Sequence, residues 1–134
     1  MYLDSSFIIA LSLEDAFTDR SRDLLLSIVE PLIVSDWATL EVSTVITKRA
    51  RIGAISNYEV TILLNNFDVW RETSTHVQTA DISAATTFVR SPNIVLRGPD
   101  AVHIAMAQRL NAQLLTFDKG MSKAAAQLGL ALAC

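Results

Sequence analysis

Met1-Tyr2-Leu3-Asp4-Ser5-Ser6-Phe7-Ile8-Ile9-Ala10-Leu11 is the stretch whose reading decides the fold class. Met1-Tyr2-Leu3 is a short apolar run, Asp4 stops it, and Ser5-Ser6 open an amphipathic segment. The pattern reads as strand, acidic tip, helix, with either serine as the helix cap. In an open α/β sheet, ligands bind outside the carboxyl ends of the strands, and that is where Asp4 falls. A lone aspartate there reads equally well as a polar turn residue. A chemical role requires further carboxylates at comparable junctions.

Outward from this stretch, apolar periodicity predicts a helix over residues 15–30, begun at Asp15 and stopped by Pro31. Residues 32–34 read as a strand. Ser35-Asp36 form a capping pair before a helix over 37–52 that Gly53 closes. Ser56 caps a helix over 57–70 with Val60, Leu63, Leu64 and Phe67 on one side, and residues 76–78 form a weak strand. Thr79 or Asp81 starts a helix to 90, a loop covers 91–98, and Pro99 sits in the first turn of a helix through 110. A strand over 113–117 ends at Asp118, a helix over 121–128 breaks at Gly129, and 130–132 form an edge strand. Strands alternating with helices imply an α/β domain with a mostly parallel sheet and helices on both faces. Without a repeat, a low-complexity tract or a linker, residues 1–134 are expected to form one domain.

With 134 residues, 51% of them hydrophobic, the chain can bury a full core without disulfides. The only cysteine is Cys134, at the last position, which suits a reducing compartment. No apolar run approaches the ~18 residues of a membrane span. Met1 leads straight into the strand-like run without a basic leader, so a cytoplasmic protein with no membrane partner is expected. The net charge is −3, from 14 acidic and 11 basic residues. Taken whole, that is not a nucleic-acid binder's balance. Setting aside Asp4, Glu41, Asp100 and Asp118, however, bases outnumber acids by one, and the remaining surface need not repel a polyanion.

Those four acids carry the functional reading. Asp4 and Asp118 end strands, Asp100 opens a helix where the dipole favours negative charge, and Glu41 lies one turn into its helix among Leu40, Val42 and Val45. Each has a plain alternative: Glu41 facing solvent, Asp100 as a helix-start acid, Asp118 in an Asp118-Lys119-Gly120 turn. Together they occupy junctions that converge on one rim of an α/β fold. Clustered carboxylates repel unless protons or cations compensate them, and oxygen-only ligands suit Mg²⁺ or Mn²⁺ rather than zinc. His76 and His103 are far apart in sequence and Cys134 is terminal, so zinc spacing is missing. An acidic metal pocket suits phosphodiester hydrolysis.

At this point the sequence resembles the PIN-domain ribonucleases, most closely the VapC-type toxins of toxin–antitoxin pairs. The resemblance rests on Tyr2-Leu3-Asp4-Ser5-Ser6, on Glu41, on Asp100-Ala101-Val102-His103-Ile104-Ala105-Met106-Ala107 and on Thr116-Phe117-Asp118, in that order and over the whole chain. It implies a three-layer α/β/α sandwich, an endoribonuclease dependent on Mg²⁺ or Mn²⁺, a small antitoxin partner and a homodimer. Asp4, Glu41, Asp100 and Asp118 match the family's acidic quartet. Asp4 and Asp100 would be the main metal ligands, while Glu41 and Asp118 would bind a second ion, hold water or assist the base step. Ser6 and Thr116 match small polar residues that hold these acids. Trp37, bulky in the segment before Glu41, is a departure that would alter the pocket wall.

His103 lies one turn after Asp100 and shares its face, but the alanines around it favour a structural role in close packing against the sheet. Arg97 is either a phosphate contact or a solvated loop charge. Lys48, Arg49 and Arg51 either steer RNA, with Lys48 on the face of Glu41, or complement the helix dipole. The Ile62, Leu63, Leu64, Phe67 and Trp70 set is core, with any surplus serving a dimer or an antitoxin helix. Competing readings are a haloacid-dehalogenase-type Mg²⁺ phosphatase, a non-catalytic PIN-like binding module and a receiver domain. The first needs a second Asp at position 6, where Ser6 stands. The second would have lost one of the acids, and the third places its acceptor in a later strand.

Overall fold

A computed structural model describes residues 1–14, 16–71 and 74–133. Asp15, expected to begin a helix, and Cys134 lie outside the described residues. In chain order the elements are β1 (Tyr2–Leu3), α1 (Ser5–Ser12), α2 (Thr18–Ser27), α3 (Asp36–Arg51), α4 (Asn57–Arg71), α5 (Thr79–Val89), α6 (Gly98–Arg109), β2 (Leu114–Leu115) and α7 (Lys119–Gln127).

The sheet is parallel and much shorter than the apolar runs suggest. β1 pairs with β2, Tyr2 opposite Leu114 and Leu3 opposite Leu115. Single parallel bridges widen it, Tyr2 to Ile33 and Ser35 to Thr75 on one side and Leu114 to Leu132 on the other. Each parallel neighbour needs a crossover, and the helices supply it. Because adjacent strand residues face opposite ways, two residues per strand suffice to seed two cores. Tyr2 and Leu114 pack among buried residues of α5, α6 and α7, including Ala85, Ile104, Met106 and Ala124. Leu3 and Leu115 face the other way, onto Phe7 and Ile8 of α1, Ala38, Val42 and Ile46 of α3 and Phe67 of α4. Leu3, Leu114 and Leu115 are essentially inaccessible, and burial of each such side chain is worth about 1.5–3 kcal/mol. The result is the expected α/β/α layering.

α6 lies against the sheet and is buried on every side: all eight residues from Asp100 to Ala107 are buried. Ala101, Ala105 and Ala107 permit that close approach. Its start follows expectation, with Pro99 in the first turn, where the missing N–H costs nothing. α3 begins as expected too, the Ser35 hydroxyl accepting from Ala38 N at 2.9 Å, and ends against Gly53 at φ +75°, a left-handed conformation natural to glycine. α4 opens with a reciprocal box in which Glu59 accepts from Ser56 N at 2.7 Å and the Ser56 hydroxyl accepts from Glu59 N at 3.2 Å.

Three local expectations fail. α2 ends at Ser27, before Pro31, because Ile28 turns extended and packs as a half-buried residue against the α1/α3 core. Residues 76–78 form no strand. The bridge is made one residue earlier, at Thr75, and Val77 N donates to the Asp36 carboxylate at 3.0 Å instead. Neither Ser5 nor Ser6 caps α1. The capping position belongs to Asp4, whose side chain makes no cap hydrogen bond, since both serines donate to it. Trp37 packs against the α5/α6 core and lines a groove of about 300 Å³ with Ile82, Val89, Pro99 and Val102.

Candidate active site

Asp4 leaves the end of β1 with its carboxylate almost wholly buried (1% exposed). Burial of a charge is tolerable only with compensation, and hydroxyls supply it. Ser6 Oγ makes a short hydrogen bond to Asp4 Oδ2, Thr116 Oγ1 donates to the same oxygen at 2.6 Å, and Ser5 Oγ donates to Oδ1 at 3.2 Å. Ser6 also accepts from Phe117 N at 3.0 Å, and Thr116 accepts from Asp118 N at 3.0 Å. The turn after β2 is thereby tied to the turn after β1.

Glu41 enters from α3 and meets His103 from α6, whose Nε2 lies 2.7 Å from Glu41 Oε2 and 3.5 Å from Asp4 Oδ1. The other ring nitrogen, Nδ1, lies 2.9 Å from the Tyr2 hydroxyl, which lies 2.8 Å from Ser35 Oγ. One assignment satisfies every group: Ser35 donates to Tyr2, Tyr2 donates to Nδ1, and Nε2–H donates to Glu41. Burial pushes the Tyr2 phenol well above its usual range, against the hydrogen bond from Ser35. Burial would also raise the Glu41 carboxyl, but the hydrogen bond from His103, helped by Ser5 and Arg97, outweighs it and holds Glu41 below the ordinary range. His103 therefore packs tightly, as its alanine neighbours suggested, and also touches two of the four acids. The sequence reading missed Tyr2 and Ser35 as parts of this network. The available signal was a hydroxyl on an otherwise apolar strand, since a buried Tyr O–H needs a partner.

Asp100 and Asp118 form the other half of the rim. Asp118 caps α7, its Oδ1 accepting from Met121 N at 2.8 Å. A Cβ at Gly120 would lie 3.1 Å from that oxygen, so glycine there leaves the carboxylate room. Arg97, on the loop before α6, reaches both acids. Its Nε lies 2.8 Å from Asp100 Oδ2, and its Nη2 lies 3.3 Å from Asp118 Oδ2. Burial raises the Asp100 carboxyl; the Arg97 hydrogen bond and charge oppose this, while Asp118 and Asp4 add repulsion and leave it above the ordinary range. Asp100 thus lies within electrostatic reach of both Asp4 and Asp118, and Arg97 joins Asp100 to Asp118; among the described residues, the atoms that come close enough to hold one ion belong to Asp4, Glu41 and His103.

The donor set fits an oxygen-preferring divalent ion. Asp4, Glu41 and His103 bring ligand-capable atoms within 4.8 Å of one another. His103 Nε2 is engaged by Glu41, and Asp4 Oδ2 is engaged by Ser6 and Thr116. The carboxylate oxygens of Asp4 and Glu41 are the kind of donor preferred by Mg²⁺ or Mn²⁺. Lys48, Arg49 and Arg51 are exposed in the last turn of α3. Among the described residues no ion pair joins them to the acids. Arg49 instead lines a groove of about 440 Å³ with Ser12, Leu13 and Glu59.

No curated protein sequence matches the chain. Among solved structures, the fold is similar to Mycobacterium tuberculosis VapC20, described as a sarcin-ricin loop cleaving toxin, with a TM-score of 0.74 and 21% identity over 92% of this chain and 93% of that one. At that identity the likeness speaks for the fold, and function has to be argued from the site. The PIN domain family model matches residues 1–127, a span that includes all four acids, their hydroxyl partners and His103. The chain therefore belongs to the PIN domain family.

Proposed function

We propose that this protein is a divalent-metal-dependent endoribonuclease acting as the toxin of a toxin–antitoxin pair in the cytoplasm. The observation that supports this reading is the Asp4, Glu41 and His103 cluster on a PIN fold, with Asp100 and Asp118, joined by Arg97, within its electrostatic reach. Asp4, Asp100, Glu41 and Asp118 would hold Mg²⁺, with Mn²⁺ able to substitute. When bound, such an ion lowers the pKa of water and neutralises charge on phosphoryl oxygens. The chain's own contribution is positioning. Ser6 and Thr116 fix Asp4 Oδ2 and so orient Oδ1, and His103 holds Glu41, whose depressed carboxyl stays ionised at neutral pH and serves as ligand or proton acceptor, not as an acid.

RNA is the substrate class, as for the toxin of similar fold. A small antitoxin would restrain the enzyme and a homodimer would be its working form. Lys48, Arg49, Arg51 and Arg97 are the cations available to meet RNA phosphates. Asp4→Asn and Asp100→Asn test the reading: each should lower Mn²⁺-dependent cleavage of total RNA about a hundredfold or more, since several kcal/mol of charge stabilisation is at stake. Expression of the wild type alone should arrest growth and Asp4→Asn should not. Wild-type cleavage by either folded variant would remove the metal-site assignment, and equal growth of the two strains at matched soluble levels would remove the toxin.

A further inference from the structure

Arg97 stands at the start of α6, but its side chain folds across the rim. The guanidinium contacts Asp100 through Nε at 2.8 Å and Nη2 at 3.4 Å, and Asp118 through the same Nη2 at 3.3 Å. It also acts electrostatically on Glu41. Its side chain is 74% exposed, so these contacts are screened and contribute little to folding. What they do is place one positive charge between two carboxylates that repel each other and that the proposed function assigns to a divalent ion. Two opposite consequences are possible for such a group. Either it holds the acids in the geometry an ion needs, or it occupies the oxygens the ion must take. The geometry favours the second. Nε and Nη2 engage both oxygens of Asp100 and one of Asp118. Asp118 is already oriented without Arg97, through its capping bond from Met121 N, and Asp100 is fixed in the buried helix α6.

We infer that Arg97 is a tethered cation that competes with the divalent ion for Asp100 and Asp118 and so sets how much metal the site needs to load. The inference rests on the proposed metal-dependent reading, and its test uses no RNA. Mn²⁺ is titrated by calorimetry into wild-type protein, Arg97→Gln and Arg97→Lys at pH 7.5, with melting temperature followed in parallel. Removal of the positive charge that contacts Asp100 and Asp118 should tighten Mn²⁺ binding on the order of tenfold, even in a high-dielectric surrounding. Arg97→Lys keeps the charge but loses the planar fork, so it should fall between wild type and Arg97→Gln. The Mn²⁺-induced rise in melting temperature should be larger in Arg97→Gln than in wild type at equal metal.

Equal or weaker Mn²⁺ binding by Arg97→Gln would overturn the inference and make Arg97 an organiser of the acids, leaving the proposed nuclease intact. Tighter binding by a protein that cleaves no RNA would uphold the inference and remove the nuclease. A wild type that binds no Mn²⁺ at millimolar concentrations would overturn both.

Discussion

Tyr2→Phe removes one oxygen from the middle of the protein and tests whether the chain from Ser35 to Glu41 holds the site. Tyr2 is fully buried, and its hydroxyl meets Ser35 Oγ at 2.8 Å, His103 Nδ1 at 2.9 Å and Met106 Sδ at 3.6 Å. The phenyl ring stays, so no sizeable cavity opens and the transfer term is small. The main cost is His103 Nδ1, left without its partner in a fully buried ring. Ser35 Oγ keeps its bond from Ala38 N and is only partly deprived. Stranding a buried polar group costs about 1–3 kcal/mol; at about 2 kcal/mol the melting temperature should fall by roughly 5–10 °C for a domain of this size. Thermal and urea melts at pH 7.5 measure this directly. A double-mutant cycle with His103→Leu isolates the pair, and the coupling should exceed about 0.5 kcal/mol, as for residues in one hydrogen-bond network. A Tyr2→Phe protein as stable as wild type, with an additive cycle, would refute the network and return Tyr2 to the role of an apolar strand residue.

Other outcomes follow from the same geometry. Asp100 has a carboxyl raised by burial and by its acidic neighbours. The folded state therefore binds that proton more tightly than the unfolded chain, and stability from this group is gained as pH falls through the folded pKa. Asp100→Asn should thus melt above wild type at pH 7.5 in the absence of metal, and the advantage should vanish on acidification; a variant less stable at both pH values would contradict this. Glu41 has the opposite sign: its carboxyl is depressed, so its contribution is present above the unfolded pKa and lost as pH falls through the folded one. In Glu41→Gln the stability curve should consequently fall less steeply at acid pH, and an unchanged slope would deny the His103 contact its role. Arg109→Met should leave Asp81, which is 1% exposed on its side chain, without the guanidinium that reaches it at 2.7 Å. Breaking a buried pair from one side costs about 3–5 kcal/mol, and restoration of stability by Asp81→Asn in the same chain would confirm that the stranded charge is the cause.

Local chemistry made much of this protein legible in the sequence. The run from Met1 to Leu11, the alternation of apolar runs with amphipathic ones, Ser35 and Ser56 as caps, Gly53 as a stop and Pro99 in a first turn all act within a few residues. Spacing therefore carries them, and the order of Asp4, Glu41, Asp100 and Asp118 carried the resemblance to the PIN family. Only tertiary structure decided how those acids are held. Asp4 is compensated by Thr116, 112 positions away, and Glu41 by His103, 62 positions away, pairings that no periodicity encodes. Strand length was decided there too: with both faces covered by helices, two residues of β1 and two of β2 suffice to nucleate opposite cores, and the flanking apolar residues pack as loops. The serines after Asp4 illustrate the difference most directly. Propensity makes them helix caps, but a buried carboxylate needs donors more than a helix end does, and both hydroxyls turn to Asp4.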